Sequence, residues 1–157
     1  MSLAVFAMSC QKTPPWGWEA PRIDSRPIPA HVVVAFGSLS TQFNYNEIQS
    51  TASNFGASAS RVYSFQCDNG VYSLNITIKS NVLQDSSYSI NSTNGSVTIM
   101  QDQGSLVLGL LESDSVQVDL KAGSYGAISG VFNGALNSPF DGMHELSGTL
   151  TNVPNPN

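Results

Sequence analysis

The sequence predicts an all-β domain, an antiparallel β-sandwich or partly closed barrel of about eight to nine short strands. Three observations lead there. Apolar and polar residues alternate with a period of two in several segments, most clearly from Tyr72 to Lys79. Turn-forming residues recur at intervals of about 8 to 12 residues, as they do in sandwiches and barrels. No stretch carries the periodicity of a long amphipathic helix.

The elements follow in order from residue 31. His31-Val32-Val33-Val34-Ala35-Phe36 is a β-branched run ended by Gly37 and reads as a strand. Ser38 to Gly56 is mixed: a strand near Phe43, then a helical turn over Asn46–Asn54, where Phe43, Ile48, Ala52 and Phe55 have helix-like spacing. In Arg61–Cys67, Tyr63, Phe65 and Cys67 share one face. Asp68-Asn69-Gly70 is a turn signal, because Asn and Gly tolerate positive φ. Tyr72, Leu74, Ile76 and Ile78 then alternate with polar residues, completing a hairpin with one wet face. Ser87–Ile90, Ser96–Met100, Ser105–Leu111 and Val116–Leu120 are further strands, separated by Asn94-Gly95, Gln101–Gly104 and Glu112–Ser115. Ile128, Phe132 and Leu136 mark another, and Gly130 and Gly134 within it predict a bend, a bulge or close approach of another backbone. Asn137–Gly142 reads as a loop, Leu146 and Leu150 belong to the last strand, and Asn152–Asn157 reads as a frayed polar tail.

Length and charge bound the function. The 157 residues suffice for one domain with a real core. Six Lys+Arg against 11 Asp+Glu exclude the clustered cations that nucleic-acid binding requires. A charged fraction of 11% with 41% hydrophobic residues excludes wholesale disorder.

The N-terminus points to export. Leu3–Met8 is apolar and is followed by Ser9 and Cys10, then by a Pro-rich stretch with Pro14, Pro15, Pro21, Pro27 and Pro29. This order of apolar stub, small residue, Cys and tether resembles the end of a bacterial lipoprotein signal peptide. Ala7 and Met8 depart from the usual lipobox, and no basic n-region precedes them. A second resemblance lies in Gly123-Ser124-Tyr125-Gly126-Ala127-Ile128-Ser129-Gly130-Val131-Phe132-Asn133-Gly134-Ala135-Leu136. It is similar to the Gly-x-Ile-x-Gly-x-Phe-x-Gly-x-Leu strand of small Bacteroidota lipoproteins of unknown function, where strands like Leu146–Val153 and Tyr72–Ile78 also occur. The chain departs at its end, where Asn152-Val153-Pro154 replaces a terminal Gly-x-Phe strand. The resemblance implies an exported all-β domain acylated at Cys10. It would be an outer-membrane lipoprotein of the cell envelope, facing the periplasm or the surface. The expected organisation is therefore a signal remnant at 1–9, a tether at 10–30, one domain at 31–153 and a tail at 154–157. A Cys10–Cys67 disulfide is the competing use of Cys10, since acylation and a disulfide exclude each other.

The chain carries no signature of catalysis. His31 and His144 share no metal-ligand motif, and no metal or other cofactor is expected. Glu112-Ser113-Asp114 with Asp119, and Asp68-Asn69, lack the calcium-loop pattern and read as turn residues. Gly123-Ser124-Tyr125-Gly126 is a turn rather than a nucleophile elbow. Cys67, on an inward face, reads as a small core hydrophobe with an inert thiol. A pair of carboxylates from distant strands remains the one enzymatic alternative. The leading expectation is a non-catalytic binding module for a glycan, a small molecule or an envelope protein. Trp16, Trp18 and Phe140 are its candidate ligand-binding residues. The alternative is a structural or assembly accessory of an envelope complex, which would present a long unprotected edge strand.

Overall fold

The computed structural model describes residues 29–54, 60–101, 107–110, 114–123, 126–140 and 142–156. The described residues form β1 (His31–Phe36), β2 (Leu39–Asn44), a 3-10 turn (Tyr45–Glu47), β3 (Ile48–Asn54), β4 (Arg61–Asp68), β5 (Tyr72–Ser80) and β6 (Ser86–Ile90). They continue with β7 (Gly95–Gln101), β8 (Val107–Gly109), β9 (Val116–Ala122), β10 (Ala127–Ser138) and β11 (Gly142–Pro154). The chain is all-β, and every strand pairing is antiparallel.

The sheet curls nearly into a closed barrel. Its path runs β2-β1-β11-β10-β8-β7-β5-β4-β3, with β9 lying between β10 and β6. The two ends of the path, β2 and β3, are successive halves of one segment. The first half pairs with β1 and the second with β4, so the chain itself bridges the seam. The same device recurs twice. Consecutive β6 and β7 run in one direction, as do β8 and β9, because each pairs antiparallel with the same side of the meander. Eleven strands thus occupy eight positions around the wall. Below the start of β1, Ser50 Oγ donates to the Pro154 carbonyl across the remaining gap at 2.5 Å. Above, Asn69 Nδ2 donates to Thr41 Oγ1 at 3.0 Å and to the Gln42 carbonyl at 3.2 Å.

Alternation decides what fills the barrel. Val32, Val34 and Phe36 of β1 point inward, as do Tyr63, Phe65 and Cys67 of β4, and Leu74, Ile76 and Ile78 of β5. Phe43, Phe132, Leu136 and Leu150 join them, all buried. An eight-position barrel is about wide enough for side chains to fill, so the interior is a packed core. Each such large apolar side chain contributes roughly 1.5–3 kcal/mol on burial.

Glycines let the wall bend. A Cβ on Gly130 would collide with the Asp119 carbonyl, and one on Gly134 would lie 2.6 Å from the Ser115 carbonyl oxygen. The expected bulge and close approach are both present. Register shifts between Ile128 and Gly130, and Asn152 opposite takes a positive φ of 49°. Its amide donates to Ser129 Oγ at 2.9 Å, which pins the bulge.

Three sequence expectations are corrected, and a fourth falls partly outside the described residues. Ile48–Asn54 is a strand rather than a helical turn, because pairing with β4 along its whole length outweighs weak local propensity. Within the Asn46–Asn54 stretch, the helical part is confined to the end of the Tyr45–Glu47 3-10 turn. The described part of the Ser105–Leu111 strand is Val107–Gly109. The Asn137–Gly142 loop shortens to a tight turn, since β10 reaches Ser138 and β11 begins at Gly142. The tail does not fray at Asn152: β11 runs to Pro154, Val153 is buried, and the Asn155 amide donates to the Gly126 carbonyl at 2.8 Å.

Candidate functional site

The strand registers place a row of amide side chains on the outer face. Gln49 of β3 lies opposite Gln66 of β4, Gln66 opposite Asn75 of β5, and Asn75 opposite Thr98 of β7. With neighbouring strands about 4.8 Å apart, the row spans roughly 15 Å across four strands. Beside it runs a hydroxyl row, Thr51, Ser64, Thr77 and Ser96, in successive register. These are the polar positions that alternate with the core residues.

The amide row lies in an open groove of about 460 Å³. Asn46 and Glu47 of the 3-10 turn wall one side, with Gln49. Gln66, Cys67, Asp68, Ser73, Leu74 and Asn75 line the floor, and Met100 the far edge. The turn is held by a capping box: the Asn44 amide donates to Glu47 Oε2 at 2.6 Å. Asp68 Oδ1 accepts from the Gly70 amide at 2.8 Å, and Asn69 Oδ1 accepts from Val71 and Tyr72. Both groove carboxylates therefore brace backbone turns.

One buried group belongs to this region, and a second lies behind its floor. Asn75 Oδ1 is buried without a hydrogen-bond partner among the described residues. Such an acceptor costs roughly 1–3 kcal/mol unless something donates to it. The Cys67 thiol is free and only 2% exposed. Burial pushes it up to about 12, and the Glu47 carboxylate adds to the rise. It sits on the inward face as the alternation required.

A second depression of about 440 Å³ lies over the β10–β11 bulge, with Val131, Asp119 and Lys121 among its lining. Its charges are of mixed sign.

The residues singled out in the sequence fare differently. Cys10, Trp16 and Trp18 lie outside the described residues, as do Glu112 and Ser113. Phe140 is 80% exposed at the β10–β11 turn, where its amide donates to Ser138 Oγ at 3.1 Å. Met143, 69% exposed, lies just beyond it. Neither lines the groove. His31 pairs with Thr151, seven residues along β11 from His144, so the two imidazoles are roughly 23 Å apart along the strand. They do not form a joint site. Among the described residues, no cluster of three or more His, Cys, Asp or Glu has the geometry to hold a metal. Asp114 accepts from Asn137 Nδ2 at 2.5 Å, and Asp68-Asn69 serves its turn.

In comparisons with known proteins, no family model matches this chain, and neither a curated protein nor a solved structure does. The site therefore rests on its own geometry. The residues missed in the sequence are Gln49, Gln66 and Asn75. Their only signal was position, as polar partners on alternating strands, and it became readable once register was known.

Proposed function

We propose that this protein is a non-catalytic binding module of the cell envelope, tethered through Cys10, with its ligand site in the groove across β3, β4, β5 and β7. One observation carries the reading: an open groove in which side-chain amides from three strands converge, with a buried acceptor, Asn75 Oδ1, lacking a protein partner. The packed interior supports it by moving the search for a ligand to the outside of the barrel. The export half of the reading rests on the Ser9-Cys10 junction and the Pro-rich stretch after it.

Two experiments test it. Ligand screening by two-dimensional NMR on the full chain should produce saturable shifts confined to Asn46–Gln49, Gln66–Asp68 and Ser73–Asn75. Shifts confined to the Val131 depression or to the Phe140 turn would reject the groove. Intact mass of the membrane fraction from cells expressing the chain should give a species beginning at Cys10 with acyl groups, and Cys10→Ser should abolish it. An unacylated soluble species from the unchanged chain would reject the anchor.

A second reading is a hydrolase, favoured by Glu47 and Asp68 lining one groove. It requires turnover of a bound glycan that Glu47→Gln or Asp68→Asn abolishes. A glycan recovered intact after prolonged incubation rejects it.

A further inference from the structure

We infer that the groove takes a neutral, hydroxyl-rich chain, an uncharged glycan, laid across the strands along Gln49, Gln66, Asn75 and Thr98. This inference rests on the groove being the ligand site, and it names the chemistry that site selects.

Charge comes first. Among the described residues, the lining holds two carboxylates, Glu47 and Asp68, and no Lys, Arg or His. Phosphate, sulfate and uronate groups meet repulsion there with no cation to offset their desolvation. Hydrogen-bonding capacity comes second. A primary amide presents two donors and two acceptor positions in one plane, and a carboxylate presents acceptors only. Adjacent hydroxyls on a sugar ring both donate and accept, so successive amides match them without a net charge. Among the described residues lining the groove, Asn75 Oδ1 is an acceptor already withdrawn from water and lacking a protein partner, which makes it the anchor for a ligand hydroxyl.

Direction comes third. The amides repeat once per strand, about 4.8 Å apart, so a chain ligand meets one amide at each step when it runs across the sheet. That direction separates a glycan from a peptide. An extended peptide binds a sheet by adding to an unpaired edge through main-chain bonds. Here the floor strands β4 and β5 are already paired on both sides, so recognition falls to side chains. Met100, 46% exposed at the far edge, offers apolar contact for the C–H face of a ring, and exposed Tyr45 adjoins Asn46 at the opposite wall.

The test is calorimetry of the full chain with short neutral oligosaccharides of gluco, manno and xylo configuration. Oligogalacturonate, spermine and an uncharged Ser/Gly peptide serve as competitors of other chemistry. A neutral oligosaccharide should bind, and oligogalacturonate should not. Asn75→Ala should weaken binding by on the order of tenfold, as loss of a buried hydrogen bond does. Gln66→Ala, at an exposed position where folding is not at stake, should weaken it by several fold, and Phe140→Ala should leave it unchanged. If spermine or the peptide binds and shifts the groove amides while every neutral sugar fails, the glycan inference is overturned and the groove reading stands. If a sugar binds with the same affinity to Gln66→Ala and Asn75→Ala, it binds elsewhere and both are overturned. Silence from every probe overturns the ligand class as well.

Discussion

Phe132 stands directly across the β10–β11 ladder from Gly148, and its ring fills the space where a Cβ on Gly148 would lie. On the other flank, the Val33 carbonyl closes against the same point. The glycine is thus the floor on which a large aromatic side chain enters the barrel interior. Covering a strand glycine with a cross-strand ring restores packing that the missing side chain would have supplied.

This pairing makes Gly148→Ala costly. The added methyl must displace the Phe132 ring or push β1 away, and overpacking of this kind costs about 1–3 kcal/mol. Denaturant melts of the single and double variants separate the two contacts. In a Phe132→Ala background the ring collision is gone, so Gly148→Ala should cost less there, by at least about 0.5 kcal/mol. An unchanged cost would place the whole clash on Val33 and remove the ring from the account. Phe132→Ala alone should cost about 3–5 kcal/mol, as for other buried aromatics.

Cys67 should be chemically silent in the folded protein. Burial is the main cause that holds its thiol at about 12, with the Glu47 carboxylate second. Thiolate is the reactive form, so a thiol-specific reagent near neutral pH should label Cys67 only as fast as the barrel opens. The linkage has a definite sign. The folded pKa lies above the ordinary thiol value of 9.0, so the folded state favours the neutral thiol. Its contribution to stability is complete below pH 9 and is lost as pH rises toward about 12. Cys67→Ala should flatten that alkaline decline. Glu47→Gln should lower the thiol only slightly, because burial remains. Rapid labelling of Cys67 in the native protein at neutral pH would contradict the burial account.

Much of this fold was legible because the core lies on one face of each strand. The Asp68-Asn69-Gly70 turn announced the β4–β5 hairpin, but not the register that sets Cys67 opposite Leu74 and Gln66 opposite Asn75. Gln49 was hidden because Ile48–Asn54 has weak local preference and becomes a strand only by pairing with β4. Pairing of that kind is non-local, and a single sequence does not display it. The merged pairs β2–β3, β6–β7 and β8–β9 were hidden for a related reason. A kinked strand and two separate strands have the same alternation and the same intervening turn residues. Gly130 and Gly134 announced a close approach, but not that the approaching groups were the Asp119 and Ser115 carbonyls. Phe140 was legible as an exposed tip, since turn residues surround it. Its separation from the groove follows from barrel closure, which local pattern does not encode.

The capping box beside the groove predicts a local effect of Glu47. Its carboxylate receives the Asn44 amide at 2.6 Å and so fixes the turn that leads β2 into β3. Glu47→Ala should cost about 0.5–2 kcal/mol, the range for lost caps. Hydrogen exchange should accelerate at Asn44 and Ile48, while the β10–β11 ladder stays protected. A uniform acceleration across the barrel would show that the turn holds the seam closed for the whole structure.

Asp119 supplies an acid-side prediction. It pairs across the β6–β9 ladder with Ser87, and hydrogen bonds from the Ser87 and Gln117 side chains hold its carboxyl below the ordinary carboxylate range. Gln117 Nε2 lies 3.4 Å from Asp119 Oδ1, so the Ser87 bond is the leading cause and the glutamine the lesser one. A carboxyl whose folded pKa is depressed stabilises the fold above its unfolded pKa. That contribution is lost as pH falls through the folded value. Ser87→Ala should therefore raise the Asp119 titration midpoint, read by carboxyl-carbon NMR, and Gln117→Ala should raise it less. Because Asp119 is only half-buried, the accompanying change in melting temperature should be small and should shrink with added salt. A midpoint unmoved by Ser87→Ala would mean that the cross-strand bond does not persist in solution. The β6–β9 pairing would then rest on backbone hydrogen bonds and the burial of Ile90 and Val118 alone.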